Sequence, residues 1–292
     1  MLLLLTLFVD GAIAEQKLTA SHQAQYDYFG ASVSVSGDYA VVGAYGDDDD
    51  GSMSGSAYVF VRSGSTWTQR KLTASDAAPN DQFGWSVSVS GEYVVVGAPG
   101  DNSNAGSAYI FVRSDTTWTQ QQKLTASDAA SEDNFGASVS ISGEYAVVGA
   151  WADDDTWEQS GSAYVFVRSG MTWTQRKLTA SDAASNDQFG WSVSVSGDYA
   201  VVGAPGDNSN AGSAYISAIK FENRAALKAA VDNCLAADDT GNCDCSSASV
   251  DCGAAGSLPI SQWDTSLITD MNHLFYDESS FDANISAWNT AK

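Results

Sequence analysis

The chain has 292 residues, 44% of them apolar, so a packed core is expected rather than a disordered coil. Its 36 Asp and Glu outnumber 13 Lys and Arg, for a net charge of −23. Such a surface repels phosphate backbones and argues against a nucleic-acid partner, while it suits cation binding or solubility in a salty medium.

The opening stretch, MLLLLTLFVDGAIAE, has a short apolar core at 2–9 and a small-x-small signature, Ala12-Ile13-Ala14, before Glu15. It reads as a secretory signal peptide over 1–14, too short to span a bilayer as a helix. No Lys or Arg lies near the start and Asp10 intrudes, so a mis-assigned start codon is the alternative. No other stretch approaches transmembrane length, and no transmembrane segment is expected.

From Lys17 onward a phrase repeats. KLTAS begins at Lys17, Lys71, Lys123 and Lys177, and Phe-Gly recurs at Phe29, Phe83, Phe135 and Phe189, in steps of 54, 52 and 54 residues. A fixed period of this length indicates stacked supersecondary units. Within the second unit the pattern predicts four strands, at 85–91, 92–98, 107–113 and 118–127. The first two are joined by a glycine-led turn suited to a tight hairpin. In the third strand Ala108, Ile110 and Val112 share one face and Tyr109 and Phe111 the other, so both faces of the sheet need cover. Four-stranded antiparallel sheets packed face to face around an axis meet that demand. The expected fold is therefore an all-β propeller of about four blades.

The phrase FGWSVSVSGEYVVVGAPGD…GSAYIFV resembles the FG-GAP repeat, which builds the propeller of integrin α chains and of many secreted surface proteins. The resemblance covers about 15–221. It implies that Phe29, Phe83, Phe135 and Phe189 fill the core between blades, and that glycines such as Gly97 sit where a side chain would not fit. The fourth unit lacks a WTQ…KLTAS strand, while 15–21 carries one with no unit before it. An N-terminal strand completing the last blade would close a ring of four; an incomplete or self-associating array is the alternative.

In calcium-binding blades of integrin-like propellers an Asp-rich loop joins the first two strands. Here that turn is only SGD or SGE, too tight to wrap calcium, so the family's metal site does not carry over. The acids come one loop later, in GDDDDGSMSG (46–55), GDNSNAG (100–106 and 206–212) and ADDDTWEQSG (152–161). Asp47, Asp49, Asp153 and Asp155 are the candidate ligands of a weak calcium site; the other reading is a solvated turn rich in Asp, Asn, Ser and Gly. Trp67, Trp118 and Trp173 recur at one strand start and read as packing. Trp85 and Trp191 directly follow Phe-Gly, where the other two units carry Ala31 and Ala137, and are the candidate ligand-binding aromatics. With His22 and His273 far apart and no nucleophile elbow, P-loop or zincin motif, an enzyme is not expected.

After Phe221 the pattern changes. Leu227, Val231 and Leu235 share a helical face behind a capping Asn223. Cys234, Cys243, Cys245 and Cys252 then read as two disulfides of undetermined pairing, with a four-thiolate zinc site as the rival. This connector spans 222–257. In 258–292 a 25-residue period relates Ile260 to Ile285, Trp263 to Trp288 and Thr265 to Thr290, and Trp263, Asp270, Met271, Phe275 and Phe281 carry a resemblance to BspA-like leucine-rich-repeat surface proteins. The run stops mid-repeat, which suggests a fragment of a longer surface protein. Asn284-Ile285-Ser286 is a glycosylation sequon. The composite reading is a secreted or cell-surface binding and adhesion protein whose partner is an extracellular protein or glycan, with calcium as its one candidate cofactor. The alternatives are a lectin-like propeller and a non-catalytic module of a larger extracellular enzyme.

Overall fold

The computed structural model describes residues 15–219, together with Lys228 and Val231. The proposed signal peptide, the four cysteines, Asn284 and the 258–292 repeat lie outside the described residues. Lys228 and Val231 are both helical, and Val231 is buried.

The described chain is all-β. Blade 1 holds β1 (Val33–Ser36), β2 (Tyr39–Ala44), β3 (Ser56–Ser63) and β4 (Thr66–Leu72). Blade 2 holds β5 (Ser86–Ser90), β6 (Tyr93–Ala98), β7 (Ser107–Ser114) and β8 (Thr117–Leu124). Blade 3 holds β9 (Ser138–Ser142), β10 (Tyr145–Ala150), β11 (Ser162–Ser169) and β12 (Thr172–Leu178). Blade 4, among the described residues, has three strands, β13 (Ser192–Ser196), β14 (Tyr199–Ala204) and β15 (Ser213–Ala218). Each blade is an antiparallel meander in chain order. The first hairpin of each closes on a two-residue turn whose leading glycine, such as Gly37 or Gly91, is left-handed, as its sequence predicts. The fourth strand of blade 2, TWTQQQKL, is one residue longer than its counterparts, TWTQRKL, and its register shifts between Ile110 and Phe111 to absorb the extra residue.

Alternation explains the stacking. Small serines on, or one residue before, the first strands of blades 1 to 3 face the next blade, where their hydroxyls meet the amides on the free edge of its first strand. Ser32 and Ser34 Oγ accept from the Val87 and Val89 amides at 3.0 and 3.1 Å, and Ser88 Oγ accepts from Ile141 at 3.1 Å. Apolar residues fill the space behind this ladder. Val41, Val59 and Leu72 of blade 1 pack with Phe83, Val87 and Val89 at blade 2, and equivalent clusters form at the next two junctions. Phe83, Phe135 and Phe189 are buried there as expected, each edge-on to a tyrosine of its own blade; Phe29, at the start of the array, is only half-buried. Gly97 meets the Gly136 carbonyl of the following blade, so any Cβ would collide with it.

The ring of four does not close among the described residues. Val35 on β1 is 71% exposed and Ile216 on β15 is 71% exposed, whereas their counterparts Val89 and Ile110 are buried in junctions.

Candidate functional site

Two features share the loops that link second strands to third strands and that lead into each first strand. One is a chain of ionic clusters. Each acidic loop begins with a buried carboxylate, Asp47, Asp101, Asp153 or Asp207. The third strand brings a tyrosine beside it, and the fourth strand sets a lysine directly opposite that tyrosine in the pairs Tyr58–Lys71, Tyr109–Lys123 and Tyr164–Lys177. Lys71 Nζ lies 3.0 Å from Asp47 and also bonds Asp49. In blade 2 Lys123 bridges Asp101 and Asp76, the latter at 2.6 Å. Lys177 holds Asp128, Asp153 and Asp155 at 2.7, 2.9 and 2.6 Å. Each ammonium also lies over its tyrosine ring, 5.4–5.8 Å from the centroid.

The electrostatics follow from this geometry. Burial pushes the Asp47 carboxyl up, but Lys71, the Asp49 amide and the Tyr58 hydroxyl together hold it below the usual carboxylate range. Asp76 and Asp128 are lowered in the same way, against burial, by Lys123 and Lys177. Asp133 has no such cation; burial and the nearby Asp153, Asp154 and Asp155 raise it to about 6 even though the Ala130 amide bonds it.

All four candidate calcium ligands are thus held by lysine. Asp128, Asp153 and Asp155 present oxygens within 4.8 Å of one another, which suits a cation, but the Lys177 ammonium already contacts all three. A divalent ion does not fit beside that ammonium; it would have to displace it.

The second feature is aromatic. Trp85 and Trp191 are exposed, and each meets a ring from the preceding blade: Tyr45–Trp85 at 4.8 Å and Trp151–Trp191 at 5.1 Å. The first pair extends further. Tyr28 stacks on Tyr45 at 5.0 Å with an interplanar angle of 4°, and Tyr26 follows at 6.4 Å. Tyr26 and Tyr28 are both exposed and left-handed, with φ of 75° and 55°. Units 2–4 place Asn80 and Gln82, Glu132 and Asn134, or Asn186 and Gln188 in this conformation. Asn tolerates it, whereas Gln, Glu and Tyr adopt it at a cost, so the turn is common to all four units and the first differs in placing aromatic rings on it. A cleft of ≈ 160 Å³ lined by His22, Asp27, Asp47 and Asp49 lies in the same loops.

Sequence reasoning singled out Trp85 and Trp191 as candidates and did not single out the rings beside them, Tyr26, Tyr28, Tyr45 and Trp151. The signal was a comparison between units: Tyr45 and Trp151 stand where units 2 and 4 have Pro99 and Pro205. Trp118 and Trp173 are packing residues as expected, edge-on to Tyr39 and Tyr93 of the preceding blades.

The FG-GAP repeat family matches residues 13–60, 67–111, 118–166 and 173–217. Each later match starts in a fourth strand and ends in the third strand of the following blade, so the sequence unit is offset from the blade by one strand. Residues 243–292 match a family described as "Mycoplasma protein of unknown function, DUF285". No curated protein matches the chain.

Proposed function

The chain belongs to the FG-GAP repeat family, and from that premise we propose that it is a secreted or cell-surface adhesion protein that recognises an extracellular protein through the aromatic run Tyr26–Tyr28–Tyr45–Trp85. FG-GAP propellers are typically non-catalytic interaction modules, and we read this chain as one. The observation that carries the site is the pair of exposed tyrosines held in left-handed backbone where the other units use polar residues. Tyrosine and tryptophan give large contact area at low side-chain entropy cost and dominate recognition surfaces. Residues 258–292 we read as the start of a BspA-like leucine-rich-repeat region, on the strength of their 25-residue period.

A glycan ligand is the second reading. It is favoured by the near-parallel Tyr28–Tyr45 pair beside acidic loops, since flat aromatic faces stack on the C–H faces of sugars while polar neighbours accept their hydroxyls. The test presents the full chain to an extracellular-protein panel and to a glycan array, with a Tyr28→Ala/Trp85→Ala double variant alongside. We expect the variant to keep its melting temperature and to lose at least about tenfold in affinity for the ligand found, as truncated interface aromatics do. A ligand indifferent to both substitutions would place recognition elsewhere. The panel that yields the sensitive ligand decides between protein and sugar.

A further inference from the structure

The two ends of the blade array are complementary halves of the junction that the array repeats internally. At each internal junction the trailing face of one blade receives the leading face of the next. Val41 and Val59 are covered by Val87 and Val89, and Val95 and Ile110 by Val139 and Ile141. Blade 4 presents the same trailing face uncovered, with Val201 and Ile216 exposed. Blade 1 presents the same leading face uncovered, with Val33 and Val35 exposed. Both are open among the described residues, so blades 1 and 4 do not cover each other.

Charge points to the same match. In blades 2 and 3 the fourth-strand lysine joins the loop carboxylate to the linker carboxylate, Lys123 between Asp101 and Asp76 and Lys177 between Asp153 and Asp128. Blade 4 has the acids and the tyrosine: the Tyr215 hydroxyl lies 2.9 Å from Asp182 and 3.3 Å from Asp207. Among the described residues no fourth strand follows to bring the lysine. At the other end, Lys17-Leu18-Thr19-Ala20-Ser21 repeats Lys71-Leu72-Thr73-Ala74-Ser75. Leu18 and Ala20 already pack on blade 1 as Leu72 and Ala74 pack on blade 2. Lys17 is exposed, and no carboxylate of the described residues pairs with it.

We propose that the chain associates head to tail with a second copy of itself, Val33 and Val35 of one copy covering Val201 and Ile216 of the other while Lys17 of the first enters between Asp182 and Asp207 of the second. The contact is heterologous, so it ends by closing a ring or continues into a longer array.

The test is the mass of the full chain by sedimentation velocity and light scattering over a concentration series, with Lys17→Glu and Ile216→Glu variants. Both residues are exposed in the single chain, so each variant should fold with an unchanged melting temperature when dilute. The parent chain should show concentration-dependent association, and each variant alone should be monomeric. A mixture of the two should form a 1:1 complex and nothing larger, because Lys17→Glu keeps a sound blade-4 face and Ile216→Glu keeps a sound blade-1 face. A parent chain that stays monomeric throughout would overturn the proposal. So would oligomers whose mass neither substitution changes, or a mixture that fails to associate. A monomer destabilised by Ile216→Glu would also overturn it, since another part of the same chain would then cover the face.

Discussion

The ammonium of Lys177 is within bonding reach of Asp128, Asp153 and Asp155, whose carboxylates otherwise crowd within 4.8 Å of one another. One side chain thereby decides whether this acidic loop is a metal site or a structural ion cluster. With lysine present, calcium at millimolar concentration should leave the melting temperature of the parent chain unchanged. Lys177→Met keeps the aliphatic stem and removes the charge, leaving three carboxylates to repel one another. Breaking a well-buried pair costs about 3–5 kcal/mol, and this cluster, partly open to water, should lose less, roughly 1–3 kcal/mol. The variant should then regain stability in calcium, because an ion that binds the folded state alone stabilises it by mass action. Thermal melts in calcium and in EDTA measure both effects. A calcium-dependent rise in the parent chain would show that the lysine does not exclude the ion.

Between elements, the contacts that matter most are backbone-to-backbone, and glycine permits them. Gly97 on β6 lies against the Gly136 carbonyl of blade 3 and against Ser86 Oγ, so Gly97→Ala forces two backbones apart. Overpacking of this kind costs about 1–3 kcal/mol. Gly203 holds the same place on β14, where the one close approach among the described residues is the movable Ser192 Oγ and no backbone atom comes nearer than 3.8 Å. Gly203→Ala should therefore cost much less in dilute solution, and chemical denaturation of the two variants checks the contrast. Strands and hairpins were legible in the sequence because their causes are local: serine and valine alternate with period 2, and a glycine starts the tight turn of each first hairpin. The identity of the junction residues was legible through the repeat. The lysine clusters were not, because Lys71 meets Asp47 across 24 residues of chain, through strand pairing that no loop motif records. The aromatic run was missed for a different reason. Tyr26 and Tyr28 depart from the repeat, and a reading guided by what recurs passes over what differs.

For the whole array, stability should be close to a sum of blade terms and junction terms, as in other repeat proteins. That view gives unequal weight to chemically identical residues. Phe135 is fully buried at the central junction, edge-on to Tyr164 and Phe166 and packed with Val95 and Ile110 of blade 2. Phe29 makes the same edge-on contacts, with Tyr58 and Phe60, but no blade precedes it among the described residues. Truncating a buried phenylalanine costs about 3–5 kcal/mol. At the central junction that loss falls on the coupling between blades 1–2 and blades 3–4. In an Ile216→Glu background, chosen to keep the chain monomeric, Phe135→Ala should split unfolding into two transitions, with tryptophan fluorescence and far-UV circular dichroism no longer coincident. Phe29→Ala in the same background should lower stability by less, since buried apolar area contributes in proportion and Phe29 is less buried than Phe135, and should leave one transition. Coincident single transitions in both variants would mean that the four blades unfold as one body, with coupling too strong for one junction residue to break. Two transitions from Phe29→Ala would place the weakest boundary at the first blade instead of the centre.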